Sequence, residues 1–173
     1  MAVAAELRAL AKAPEDVLMV IASDTKVEGL IRSRAVAALR LVPSQGAHLF
    51  LGKLIQTKAK ATDATDRLIL RRAAVALGWI AGLGWRAGPG AAETLALLFD
   101  NEDAAVRLDA AIGLSLTRAE IAVTLLRRQL AVESVPRVRD QIERQLRALP
   151  ESPPEPDKAH SPPMREPPMR GSW

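Results

Sequence analysis

The sequence predicts an all-α protein, an α-solenoid of about four helix pairs with an extra N-terminal helix and a disordered, Pro-rich C-terminal tail. Three observations predict it. Hydrophobic residues make up 49% of the 173 positions, yet aromatics are only 3% and Tyr is absent. That balance suits helices, because Ala and Leu lose little on entering a helix whereas sheets favour β-branched and aromatic faces. No stretch of useful length alternates with period two, so no strand is expected. One apolar template recurs four times along the chain, the mark of a repeat architecture.

The punctuation of the sequence places nine helices, over about 2–12, 15–22, 26–42, 45–60, 66–82, 90–99, 104–116, 118–132 and 136–149. Pro14 suits a first helical turn because it lacks the amide that would be unpaired there, and Glu15 and Asp16 favour the positive helix end. Breaks follow at Ser23-Asp24, Pro43-Ser44, Thr62 to Asp66, Gly82 to Gly90, Asp100 to Asp103, Thr117, and Ser134 to Pro136.

The repeated template is apolar–x–x–x–apolar–x–x–small–Leu. It reads Ile31…Ala35…Ala38-Leu39, Ile69…Ala73…Ala76-Leu77, Val106…Ala110…Gly113-Leu114 and Val138…Ile142…Gln145-Leu146, with starts 38, 37 and 32 residues apart. At 100° per residue these positions fall in one arc, so each helix has a single buried stripe. A second apolar helix lies between copies, as in Leu49-Phe50-Leu51…Leu54-Ile55. A helix pair recurring at this period is the unit of an α-solenoid.

The run Leu95-Ala-Leu-Leu-Phe-Asp100-Asn-Glu-Asp103-Ala-Ala-Val106-Arg107-Leu-Asp-Ala110-Ala-Ile-Gly113-Leu114 resembles a HEAT repeat, with its leucines, acidic turn, Val-Arg and Ala-x-x-Ala-Leu. Ala76-Leu77-Gly78 and Val138-Arg139 add to the resemblance; Leu70 stands where the family prefers Arg, and Gln145 where it prefers a small residue. The resemblance covers about residues 15–149 and implies a fold rather than a reaction, since such solenoids serve as scaffolds, adaptors and a few enzymes.

Composition changes at Pro150: 8 of the last 24 residues are Pro, against 4 in the preceding 149. Residues 1–149 therefore read as the helical domain and 150–173 as an extended tail. The tail doubles a tetrapeptide, Pro162-Pro163-Met164-Arg165 and Pro167-Pro168-Met169-Arg170, which reads either as part of a solvated linker or as a docking peptide.

The net charge of +4 leaves the body with 21 basic and 16 acidic residues, interspersed. Such a balance permits a nucleic-acid or acidic partner without demanding one. The absence of Cys removes disulfides and thiolate metal sites. Glu6, Arg8 and Lys12 interrupt the order of a signal peptide, and the longest uncharged run, Ala73 to Trp85, has 13 residues, short of a bilayer span. A cytoplasmic protein without membrane insertion is expected. The preference for Arg over Lys and the Ala-rich usage are associated with GC-rich bacterial genomes.

Chemistry is hard to assemble from these residues. His48 and His160 lie 112 residues apart, so no metal site, cofactor or Ser/His/Asp grouping is expected, and His48 reads as a partly buried surface residue. Gly82-Leu-Gly84-Trp85-Arg-Ala-Gly88-Pro-Gly90 lacks the strand and spacing of a phosphate loop and reads as a joint between repeats. HEAT-like alkylpurine DNA glycosylases use an acid with aromatic residues on the concave wall, and Asp109 with Trp79 is the pair that resemblance offers here. The bilin lyases share the repeat, but no chromophore site is marked. Arg71-Arg72, Arg127-Arg128 and Arg137/Arg139/Arg144/Arg147 support nucleic-acid binding as the alternative function, without the interleaved aromatics of a stacking platform.

The leading expectation is a non-catalytic scaffold that binds another protein or peptide. In HEAT-type solenoids the second helix of each pair lines the concave side. Counting the third, seventh and tenth residues of each copy gives Ser33, Ala37, Arg40; Arg71, Val75, Gly78; Leu108, Ile112, Ser115; and Asp140, Arg144, Arg147. An apolar centre of Val75, Leu108 and Ile112 within a rim of Arg40, Arg71, Arg144 and Arg147 is the expected partner-binding groove.

Overall fold

The computed structural model describes residues 13–84 and 90–149. The expected helix over 2–12, the joint at Trp85 and the tail from Pro150 lie outside the described residues. Among these, all regular structure is helical: α1 (Pro14–Ser23), α2 (Gly29–Ala38), α3 (Gln45–Lys58), α4 (Ala64–Gly82), α5 (Ala91–Ala96), α6 (Ala104–Leu116), α7 (Ile121–Val132) and α8 (Pro136–Ala148). Short 3-10 turns, Leu39–Leu41 and Leu97–Asp100, extend α2 and α5.

Local chemistry sets the starts. The Ser44 hydroxyl accepts from the Ala47 amide (3.1 Å), an Asp63 carboxylate oxygen from Asp66 (2.9 Å) and an Asp103 one from Ala105 (2.7 Å), each satisfying an amide with no helical partner. Pro14 and Pro136 occupy first turns. The expected start of the helix after Thr117 moves to Ile121, because Arg118 adopts a left-handed φ of 54° and Thr117 Oγ1, which donates to the Leu114 carbonyl, accepts from the Ala119 amide.

The helices pack in sequence-adjacent pairs, α1 with α2, α3 with α4, α5 with α6 and α7 with α8. Contacts also run in two rows: α2, α4, α6 and α8 touch in succession, as do α1, α3, α5 and α7. The tightest approach is between α4 and α6. A Cβ at Gly78 would run into the Gly113 carbonyl, and one at Gly113 into the Ala74 carbonyl, so only glycine lets these backbones meet.

The template positions of the second and third copies, Ile69, Ala73, Ala76, Leu77, Val106, Ala110, Gly113 and Leu114, are all buried. In the fourth, Val138 and Ile142 are buried and Leu146 is partly buried against the core. The first copy corrects the expectation in part: Ala35 and Leu39 are buried as expected, but Ile31 is 47% exposed, and Ser33 and Val36 are buried as well. Among the described residues, the reason is the lack of a neighbour. Gly29 abuts Thr65 of α4, and Ile31, about 200° further round the helix, faces the flank where no described helix of this row lies.

The arginine after the first template residue has one task in three copies. Arg107 Nη1 donates to the carbonyls of Asn101 (2.8 Å) and Glu102 (2.9 Å). Arg139 Nη1 donates to those of Leu130 and Glu133 (3.0 Å each), and Arg32 Nε to that of Ala22 (3.1 Å). Each satisfies acceptors at or just beyond the end of the preceding helix. In the second copy the position is the buried Leu70, and the Ala59 and Ala61 carbonyls after α3 accept instead from Asn101 Nδ2 (2.7 and 3.4 Å), which reaches back from the next repeat.

Candidate functional site

The faces of α4, α6 and α8, with Arg40 on the turn after α2, carry the residues expected to form the groove. Leu108 is half-buried, packs against the core and lines a cavity of about 360 Å³ between α6 and α8, with Val135 and Val138 on the α8 side. Arg71, Arg137 and Asp103 form its polar lining. Val75 and Ile112 are half-buried, Arg40, Arg144 and Arg147 exposed. The cavity therefore brings together Leu108 and Arg71; it does not include Val75, Ile112, Arg40, Arg144 or Arg147.

Two counted positions turn inward. Gly78 is buried at the α6 crossing and Ser33 is 2% exposed, its hydroxyl donating to the Leu30 carbonyl (2.8 Å). The outward arc of α4 runs instead through Arg72 and Trp79, both exposed, with Val75 between them. Trp79, 48% exposed, is the large apolar side chain the groove reading missed. The signal was available: Arg72, Val75 and Trp79 are spaced three and four apart, so they share a face turned away from the buried line of Ile69, Ala73 and Leu77.

Arg71 is not a free rim charge. Its Nε donates to Asp109 Oδ2 at 2.7 Å, bridging α4 and α6 with side chains 39% and 14% exposed. Asp109 is thus engaged with Arg71, and Trp79 stands eight residues beyond Arg71, about 12 Å along the α4 axis. The acid and the aromatic that the glycosylase resemblance paired are held apart. Ser115 donates to Gln145 Oε1, tying α6 to α8 and placing Gln145 as a contact between repeats.

Arg107 of α6 reaches the end of α7. Its Nε and Nη2 donate to the two oxygens of Glu133, each at 2.8 Å, and the Glu133 side chain is 1% exposed. The Arg107 hydrogen bonds are the largest cause that holds the Glu133 carboxyl down at about 2, helped by the Val135 amide and the Gln129 side chain against the opposing effect of burial. Of the arginines offered for phosphate contact, Arg139 is spent on carbonyls and Arg71 on Asp109, whereas Arg72, Arg127, Arg128, Arg137, Arg144 and Arg147 are exposed.

Among the described residues, no three His, Asp or Glu side chains are grouped to hold a metal ion, and no helix is long and apolar enough to cross a membrane. Compared with known proteins, the chain matches no family model, no curated protein and no solved structure.

Proposed function

We propose that residues 1–149 form a HEAT-like α-solenoid that serves as a non-catalytic scaffold, binding a helix or extended peptide of a partner protein across α4, α6 and α8. The two rows of helix contacts and the recurring carbonyl-capping arginine support the solenoid reading, because among the described residues the principal contacts run between neighbouring helix pairs. The observation that carries the function is the cavity at Leu108. An apolar floor of Leu108, Val135 and Val138 beside Arg137, the exposed cation of a lining that also holds Asp103 and the Asp109-paired Arg71, suits an apolar anchor followed by an acidic residue. Exposed Trp79 extends the apolar strip along α4. The engagement of Arg71 and Arg139 inside the protein weighs against the alternative, nucleic-acid binding, by removing two cations from any phosphate track.

The test is a photo-crosslinking residue at Ala105, beside the cavity, with identification of the captured segment from the native host. Leu108→Asp with Ile112→Asp is expected to keep the helical spectrum while abolishing capture. Undiminished capture by that folded variant would remove the groove from consideration, and salt-sensitive retention of DNA at equal strength would favour the alternative.

A further inference from the structure

The repeated template has a side that faces backward along its row. Its first and eighth positions lie about 20° apart round a helix and form one flank. Gly113, the eighth of the third copy, meets the Ala74 carbonyl of the preceding α4, and Gln145, the eighth of the fourth, accepts from Ser115 of the preceding α6. In these later copies the flank is covered: Ile69, Ala76, Val106, Gly113 and Val138 are all buried. In the first copy it consists of Ile31, 47% exposed, and Ala38, half-buried, and no described helix of the row precedes it. The other end of the row is finished differently, since α8 presents Arg137, Asp140, Glu143, Arg144 and Arg147 to solvent.

The segment placed to cover the α2 flank is residues 2–12. Helices of the two rows alternate along the chain, so a helix preceding α1 belongs to the row of α2. The sequence predicts that helix over 2–12, and Ala13, before Pro14, departs from helical geometry with φ −136° and ψ 78°. Val3, Leu7 and Leu10 recur at i, i+4 and i+7 as one apolar stripe, with Glu6, Arg8 and Lys12 outside it. A helix over 2–12 is about 16 Å long, against about 15 Å for the ten residues of α2. So short a helix is marginal in water and needs an apolar flank to form on.

We propose that residues 2–12 dock as a capping helix on the open flank of α2, with Val3, Leu7 and Leu10 covering Ile31 and Ala38. The proposal rests on the arrangement of the rows and is independent of the groove. An end helix held by one flank opens more readily than the domain unfolds, so its contact with Ile31 is lost before global denaturation and does not enter that measurement.

The chain has no Cys, so one introduced thiol reports the coverage of one position. In the full chain, Ile31→Cys is expected to react with a maleimide more slowly than Val132→Cys, whose site is 74% exposed. Adding Leu7→Asp and Leu10→Asp is expected to speed Ile31→Cys about tenfold, as for a cap docked nine-tenths of the time, and to leave Val132→Cys and the cooperative melt unchanged. Leu108→Asp with Ile112→Asp is expected to leave the protection intact. A second measurement needs no disruptive change. Helices of this row run in the same direction, as the contacts of Ala74 with Gly113 and of Gly82 with Leu116 show, so Leu10 falls beside Ala38. Leu10→Cys with Ala38→Cys is expected to form a disulfide on mild oxidation, and Lys12→Cys with Ala38→Cys to do so far more slowly. Equal rates at Ile31→Cys with and without the two aspartates, or no preference for Leu10→Cys over Lys12→Cys, would overturn the proposal. Protection that appears only at high protein concentration would overturn it too, by giving the flank to a second copy.

Discussion

Arg107 and Glu133 lock two consecutive repeats together: guanidinium and carboxylate meet through two parallel hydrogen bonds of 2.8 Å, and the carboxylate is all but removed from solvent. The pair has no slack. Arg107 also satisfies the Asn101 and Glu102 carbonyls, and Glu133 also accepts from the Val135 amide and Gln129 Nε2. Replacing Arg107 by Met should cost roughly 3–5 kcal/mol, because it strands a buried charge rather than merely losing an attraction. Denaturant unfolding of Arg107→Met measures this directly.

The same pair sets an acid limit. The Glu133 carboxyl is held at about 2, against 4.5 when unperturbed. A depressed folded-state pKa contributes stability that is fully present above the unfolded value and is lost as pH falls through 4.5 toward about 2. The melting temperature should therefore decline over that window in the native protein, and Glu133→Gln, less stable at pH 7, should show a shallower decline. Parallel acid slopes for the two proteins would assign the loss to other carboxylates.

Glycine substitutions should separate by environment. Gly78→Ala and Gly113→Ala each force the α4–α6 crossing apart and should cost about 1–3 kcal/mol, the usual range for overpacking. Gly52→Ala meets nothing within 4 Å and should stabilise by about 0.5–1 kcal/mol, the helix-propensity difference. Thermal melts of the three variants test the contrast.

Arg118 occupies a left-handed conformation at the end of α6, where glycine is the usual residue. Its guanidinium makes no described contact that the substitution would forfeit. Arg118→Gly should raise stability by about 0.5–1 kcal/mol by relieving the Cβ clash, partly offset by the entropy of the unfolded chain. A lowered melting temperature would show that the side chain matters more than its backbone angle.

Truncations along the buried stripes should grade with burial. Leu77→Ala and Leu114→Ala, both at fully buried sites, should cost about 2–5 kcal/mol. Ile31→Ala should cost well under 1 kcal/mol, since Ile31 is 47% exposed. Chemical denaturation of the three would check the register of the first three copies together.

The amino-acid sequence by itself determined that the described chain is helical, where most helices begin, and which residues of the middle copies are buried. Those are consequences of short-range physics: Pro14, Ser44, Asp63 and Asp103 start helices through their own atoms, and a 3.6-residue period puts Ile69, Ala73 and Leu77 on one face whatever packs there. Tertiary structure decided the rest. Ile31 carries the same template as Ile69, yet burial needs a neighbour on the correct flank, and the sequence of α2 cannot say whether one is present. Arg71 read as a rim charge because its partner, Asp109, lies 38 residues away. His48 read as a partly buried surface residue, and nothing local to α3 announces that packing leaves it only 5% exposed. Burial stripes are written along a helix, whereas ion pairs, cavities and orphaned polar atoms arise between helices, where only the packed chain brings the groups within reach.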